Sequence, residues 1–207
     1  MFNDYIRLKN PPPGRLASCP NGQEEHLYEA AVMLAFAEHL LRTVEGLKHV
    51  AIHPDGQHGI QFPIQEWLER REFVMHEQKK KGSVSYAGVY RSKAGQSILV
   101  NPSAVAGAQK GGDVVADVNG QTYLAECKGG VINSNYAGHL SRLRRGLCEA
   151  VGQCLKFPII EGTRQYSVVP RTPSTENLAR QIAPRAKKAG IEIALVDRRG
   201  EVSFQDA

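Results

Sequence analysis

Long hydrophobic runs are missing from this chain of 207 residues. No stretch approaches the roughly 20 consecutive apolar residues that a membrane-spanning helix needs, so the sequence predicts no membrane partner. The first residues, Met1 to Tyr5, also lack the basic start and the apolar run of a secretory signal. A cytoplasmic location is therefore the expectation.

Cysteine is scarce as well, with four residues in the whole chain. None of them forms a CxxC pair, and their spacing matches no common zinc site. The sequence therefore predicts reduced and mostly buried thiols. A phosphate-binding Walker loop and a GxSxG nucleophile motif are missing too, which argues against P-loop nucleotide hydrolases and serine esterases.

The composition otherwise fits one globular domain, since 42% of the residues are hydrophobic. A net charge of +5 is compatible with a polyanionic partner but does not require one. Residues 1–20 are predicted to form an N-terminal arm, because Pro11, Pro12 and Pro13 favour an extended segment. Residues 21–207 are predicted to form a single domain.

Residues 111–130 organise the chain, because they predict a β-hairpin. Two β-rich runs flank Asn119-Gly120, the dipeptide that best suits a two-residue type I′ turn. If these residues form the turn, Asp113 faces Glu126 across the hairpin. Side chains alternate with period two, so Lys128 shares the face of Glu126, while Cys127 between them points into the interior.

The predicted register sets the two carboxylates of Asp113 and Glu126 opposite each other. Cross-strand neighbours have Cβ atoms roughly 4.5–5.5 Å apart, and like charges at that distance are destabilising. Two converging carboxylates suit Mg²⁺, which is commonly held by one or two carboxylates together with waters and phosphate oxygens. The ammonium group of Lys128 can reach a phosphate beside such a cation. The hairpin therefore predicts a metal site for phosphate chemistry.

The residues Asp113, Glu126 and Lys128, a D…ExK pattern, resemble the signature of the PD-(D/E)xK nuclease superfamily. The proline that usually precedes the aspartate is Gly112 here. The predicted order of elements over roughly residues 21–45 and 84–170 also resembles the core of this superfamily. The resemblance implies an α/β, restriction-endonuclease-like core: a central mixed sheet flanked by helices, with residues 46–83 inserted before the catalytic hairpin.

The resemblance also implies metal-dependent hydrolysis of a phosphodiester bond. Asp113 and Glu126 would hold Mg²⁺ with help from the main-chain carbonyl of Cys127. Mn²⁺ should substitute for Mg²⁺, because all of these ligands are oxygen atoms. Lys128 would orient or activate the attacking water and offset the charge that builds on the phosphorus centre.

A helix is predicted from Asn21 to about Arg42, where Asn21 and Glu24 form a capping-box pattern. In the resembled superfamily a first helix often contributes a glutamate to the metal site. Glu29 matches that position, and Glu25 is the weaker alternative. Acidic residues early in a helix also suit the helix dipole without any further role.

A second helix is predicted from His139 to Phe157. In several branches of the resembled superfamily, the helix after the ExK strand carries a glutamine of the site, and Gln153 matches it. Arginine can donate two parallel hydrogen bonds to phosphate oxygens. Basic residues of this helix and of a lysine run are therefore predicted to contact nucleic acid. The alternative is that they are simply solvated surface residues. These residues are Arg142, Arg144, Arg145, Lys79, Lys80 and Lys81.

The remaining C-terminal segments are predicted to extend the sheet, whereas residues 46–110 are hard to place. The predicted helices are 64–71 and 175–189, and the predicted strands are 73–75, 84–90, 97–100, 165–169, 191–196 and a final edge strand within 201–205.

Taken with the resemblance, the expected function is that of an endonuclease of restriction or defence type acting on double-stranded DNA. A homodimer is expected if both strands are cut. One alternative is a Holliday-junction resolvase or a repair nuclease. Another is a non-catalytic module on the same fold that binds nucleic acid or protein. The predicted catalytic set is Asp113, Glu126, Lys128 and Gln153.

Overall fold

The computed structural model describes residues 5–55, 61–78, 85–102, 111–158 and 160–205. The strands within these residues are β1 Ile6–Lys9, β2 Glu24–Leu27, β3 His49–Ile52, β4 Val74–Gln78, β5 Gly88–Arg91, β6 Ser97–Val100, β7 Val114–Val118, β8 Gln121–Cys127, β9 Gly130–Val131, β10 Thr163–Pro170, β11 Ile191–Val196 and β12 Val202–Phe204. The helices are α1 Glu29–Thr43, α2 Ile64–Arg70, α3 Ala137–Cys154 and α4 Pro173–Lys188, with a 3₁₀ helix at Pro13–Ser18.

A mixed sheet forms the centre of the protein. Nine of the described strands follow the order β12-β11-β10-β8-β7-β3-β6-β5-β4, and β1, β2 and β9 form a separate three-stranded sheet. In the large sheet β8, β10 and β11 run parallel to one another, and β3 runs parallel to β6. The remaining neighbours pair antiparallel. The prediction of an α/β fold with a mixed sheet and flanking helices is confirmed at this level.

The two faces of the large sheet carry separate hydrophobic cores. Tyr166 and Val168 on β10 lie in the core that α1 covers, whereas Val169 lies in the core that α3 and α4 cover. Alternation along one strand therefore supplies both cores, as a sheet with helices on both sides requires. Both predicted helices after the hairpin are present, although α3 ends at Cys154, before the predicted end at Phe157, and leaves Leu155 61% exposed.

The predicted hairpin is confirmed, and its register holds as far as the pair Val114 and Ala125. Asn119 and Gly120 have φ angles of 52° and 75°, the left-handed pair that a type I′ turn needs. Val118 pairs with Gln121 and Val115 with Leu124. The side-chain alternation is also as predicted, since Cys127 is completely buried.

The helix predicted from Asn21 begins later, at Glu29, with Tyr28 as its N-cap. Residues 24–27 instead form β2, which pairs antiparallel with β1 and β9. The capping-box pattern at Asn21 does not start a helix, because the main chain of β2 pairs with strands that are distant in the sequence. Arg198, whose guanidinium lies 2.9 Å from the Glu25 carboxylate, is a further distant partner of this strand.

Two predicted segment boundaries change. In the predicted N-terminal arm, residues 6–9 form β1 of the smaller sheet and residues 13–18 form a 3₁₀ helix, because proline is well suited to the first helical positions. In the predicted insertion 46–83, His49–Ile52 forms β3 between β7 and β6, so this part belongs to the central sheet. Helix α2 and strands β4 and β6 lie where the sequence predicts them.

Candidate active site

Asp113 and Glu126 lie at the open end of the hairpin. The regular ladder ends with the pair Val114 and Ala125, and the direct Asp113–Glu126 pair that the sequence predicts is not part of it. The Asp113 amide donates to the Ala125 carbonyl at 2.8 Å, and the Cys127 amide donates to Asp113 Oδ2 at 2.7 Å. Asp113 is therefore held against β8 through both its main chain and its side chain.

Gly112 explains the departure from the usual proline. Its φ angle is +97°, whereas the proline ring holds φ near −65°. A Cβ atom at this position would also lie 3.0 Å from the Ala125 carbonyl oxygen. The turn into Asp113 in this chain therefore requires glycine.

Lys128 lies among three oxygen-bearing groups. Its Nζ donates to the Cys127 carbonyl at 2.9 Å and lies 3.7 Å from Glu29 Oε2 and 3.8 Å from Asp113 Oδ2. The side chains of Lys128, Glu29 and Asp113 are 15–20% exposed, so their interaction is only partly screened by water. The structure therefore brings Glu29, predicted from its place in the first helix, to the hairpin residues.

Gly129 allows this approach of α1 to the hairpin. A Cβ atom at Gly129 would lie against the backbone nitrogen of Glu29 and 2.6 Å from the Leu27 carbonyl oxygen. At Gly130 a Cβ atom would lie 2.5 Å from Leu143 Cδ2. Both glycines therefore allow close packing of protein on protein at this point.

Helix α3 covers the same region. A Cβ atom at Gly146 would lie 3.3 Å from Lys128 Cβ, so this turn of α3 faces Lys128. Arg142 and Gln153 lie four residues before and seven residues after Gly146, on the same side of the helix. Arg145 lies at the margin of that side, and Arg144, two residues from Gly146, lies on the opposite side. Gln153 Oε1 is buried without a hydrogen-bond partner in the described part of the chain.

The electrostatics of the cluster indicate a shortage of positive charge. Burial, together with the negative charges of Asp113 and Glu29, raises the pKa of the Glu126 carboxyl from 4.5 to about 7. Burial alone would lower the pKa of Lys128, but Glu29, Asp113 and Glu126 together raise it. Lys128 therefore stays protonated near neutral pH, while Glu126 is only partly ionised.

Two neighbours of Glu126 were not predicted from the sequence. Ser167 pairs with Glu126 in the β8–β10 register, is completely buried, and leaves its Oγ without a partner among the described residues. Lys156, just after α3, lowers the pKa of Glu126. Ser167 carried no sequence signal, because the register of two parallel strands is set by packing. Lys156 follows Gln153 by three residues, and this helical spacing could have indicated that the lysine lies on the side of the helix that faces the site.

The donor set fits a hard divalent cation in its chemistry. Asp113, Glu126 and Glu29 supply carboxylate oxygens and Cys127 a carbonyl oxygen, which are the ligands that such a cation prefers. In this conformation Lys128 uses the Cys127 carbonyl. Among residues 5–55, 61–78, 85–102, 111–158 and 160–205, no three histidine, cysteine, aspartate or glutamate side chains are spaced as a preformed metal site.

Of the other predicted residues, Glu25 lies apart from the cluster, Arg142 lies close to Glu29, and the lysine run falls outside the described residues. Glu25, the weaker alternative to Glu29, lies in β2 and pairs with Arg198. Lys79, Lys80 and Lys81 lie outside the described residues. Arg142 lines a cavity together with Glu29.

Comparison of the chain with protein-family models, with curated proteins and with solved structures gives no match. None of the helices in the described ranges combines the length and the hydropathy that a membrane crossing requires.

Proposed function

We propose that the chain is a metal-dependent nuclease with a restriction-endonuclease-like core, and that it hydrolyses phosphodiester bonds in DNA. The observation that carries the proposal is the cluster of Asp113, Lys128 and Glu29, with Lys128 Nζ within 3.8 Å of both carboxylates. Glu126 lies beside this cluster on the partner strand, with its pKa raised to about 7. A purely structural role would not favour so many acids around one lysine.

The proposed chemistry assigns separate roles to these groups. Asp113, Glu126 and Glu29, with the Cys127 carbonyl, would hold Mg²⁺ or Mn²⁺. When bound, such a cation polarises the phosphate and lowers the pKa of a water. Lys128 acts electrostatically rather than as a base, because its raised pKa keeps the ammonium protonated. It orients the attacking water and stabilises the negative charge on the phosphorus centre.

Cleavage assays test this proposal. Purified protein is incubated with linear, supercoiled and branched DNA and with RNA, in Mg²⁺, Mn²⁺ or EDTA. We expect DNA cleavage that needs the metal and that falls by roughly a hundredfold or more in Lys128→Ala, as for other lost transition-state donors. Cleavage by Asp113→Asn should fall at least as far, because the cation would lose a ligand.

Matched variants control for non-specific effects. Asp117→Asn changes an acid on the same face of the hairpin but next to the turn, where Asp117 accepts a hydrogen bond from Thr122. Lys187→Ala removes an exposed lysine in the last turn of α4. Both should cleave like the unaltered protein. Cleavage that survives Lys128→Ala and Asp113→Asn contradicts the proposed site, and DNA binding without cleavage in either metal favours the non-catalytic module.

A further inference from the structure

A cavity of about 240 Å³ opens beside the carboxylate cluster. It lies between the start of α1, strand β9 and the start of α3, and Tyr28, Glu29, His26, His139 and Arg142 line it. Its volume equals that of roughly eight water molecules and is below the roughly 300 Å³ of small ligand pockets. The cavity therefore suits a small polar group rather than a whole planar ligand.

Two residues that line this space carry buried polar atoms without partners. The Tyr28 hydroxyl and His139 Nδ1 are both buried and have no hydrogen-bond partner in the described part of the chain. His139 is only 5% exposed. Buried polar atoms without partners are costly, and two of them on one cavity indicate a missing acceptor.

The tautomer of His139 follows from its neighbour Arg15. The Arg15 guanidinium lies 3.4 Å from His139 Nε2 and can only donate, whereas Glu24 Oε1 lies beyond hydrogen-bond distance at 3.6 Å from the same nitrogen. We therefore assign Nε2 as the acceptor and place the proton of the neutral ring on Nδ1. Burial lowers the pKa of His139, which favours this neutral ring. His139 Nδ1 is therefore an N–H donor, like the Tyr28 hydroxyl.

The surroundings of the cavity favour an anion. Helices α1 and α3 both begin here, at N-caps Tyr28 and Tyr136 that make no side-chain capping bond, and a helix N-terminus attracts negative charge. Arg142 adds a guanidinium, and Lys9 Nζ lies 5.1 Å from the centre of the Tyr28 ring. Of the acids nearby, Glu29 pairs with Lys128, and Glu24 lies 2.9 Å from His26 and 3.6 Å from His139.

We propose that this cavity binds one phosphate group of a nucleic-acid strand, next to the phosphate that is cleaved, through Tyr28, His139 and Arg142. This inference rests on the proposed nuclease function, because Glu29 belongs both to the cavity and to the carboxylate cluster. The phosphate is either a terminal monoester or an internal diester, and both offer the oxygen acceptors that the three donors lack.

Binding to the full chain in EDTA tests the cavity without cleavage. Calorimetric titrations use inorganic phosphate, dinucleotides phosphorylated at the 5′ or the 3′ end, and a dinucleoside monophosphate with free hydroxyl ends. We expect Arg142→Ala to weaken binding of the best probe by roughly tenfold or more, since a charge-assisted contact is lost. The probe that binds best identifies the terminal or the internal phosphate as the ligand.

Tyr28→Phe separates a binding role from a folding role. Its hydroxyl has no partner in the protein, so the melting temperature should stay the same or rise while phosphate binding weakens several-fold. Arg180→Ala, which removes an exposed arginine from the middle of α4, is the matched control and should bind like the unaltered protein. Equal weakening in Arg180→Ala, or no binding of any probe, overturns the inference.

Lys128→Ala distinguishes this inference from the proposed function. It should lose cleavage and keep phosphate binding. If Lys128→Ala still cleaves while phosphate binding depends on Arg142 and Tyr28, the proposed active site fails and the anion cavity stands. If cleavage depends on Lys128 and no probe binds, the cavity inference fails alone.

Discussion

At the scale of single residues, Glu126 makes stability depend on pH. Its carboxyl titrates near 4.5 in the unfolded chain and near 7 in the folded protein. Between these pH values the folded protein keeps a proton that the unfolded chain has lost, so the free energy of unfolding falls as the pH rises from 4.5 to 7. The metal-free protein therefore loses stability toward neutral pH through this group.

Glu126→Gln measures this effect. Buried histidines titrate in the same range with the opposite sign, because burial lowers the pKa of His26 and His39. The informative quantity is therefore the difference in unfolding free energy between the unaltered protein and Glu126→Gln, followed in EDTA from pH 4.5 to 8. We expect this difference to move in favour of the variant as the pH rises. Glu161→Gln, at an exposed position, should give a flat difference.

Gly112 leads to a second prediction at this scale. Gly112→Ala should cost about 1–2 kcal/mol, because a residue with a Cβ is disfavoured at φ +97°. Gly112→Pro, the residue usual in the resembled signature, should cost more, since its ring cannot reach a positive φ. Chemical denaturation of the two variants checks the order. A Gly112→Pro variant as stable as the unaltered protein would contradict the turn geometry described here.

At the scale of elements, the contact between Gly129 and α1 holds the site together. Gly129→Ala forces the added Cβ against the backbone of Tyr28 and Glu29, so α1 must shift away from Lys128. We expect a loss of both stability and cleavage. Gly152→Ala, in the last turn of α3 and with nothing within 4 Å of the added Cβ, should instead stabilise by up to about 0.5–1 kcal/mol. Thermal unfolding and cleavage rates of the two variants provide the comparison.

The elements that sequence predicted best are those whose determinants are local. Asn119-Gly120 fixes the hairpin and its register within a few residues, so Asp113, Glu126 and Lys128 could be placed from the sequence. Strand β2 could not, because its partners β1 and β9 lie about 20 and 100 residues away, and the local pattern favoured a helix. Ser167 beside Glu126 depends likewise on a parallel register that no short motif encodes.

At the scale of the whole molecule, residues 5–9 are part of the folded structure. Tyr5 is 2% exposed, its hydroxyl donates to Glu38 Oε2 at 2.6 Å, and its ring lies 5.1 Å from that of Trp67. Tyr5→Ala should therefore cost about 3–5 kcal/mol, as for other buried aromatic residues. Denaturant unfolding measures it, with Leu8→Ala, at a 59% exposed position nearby, as the control. A negligible cost for Tyr5→Ala would show that these residues are a loose tail.

The assembly of the cluster has a consequence for how the protein is made. Glu29 and Lys128 are about a hundred positions apart in the chain, and β8, which carries Glu126, gains its parallel neighbour only when residues 163–170 have been synthesised. A nascent chain on the ribosome therefore exposes these acids as separate, solvated groups. The assembled cluster can therefore form only after residues 163–170 have left the ribosome.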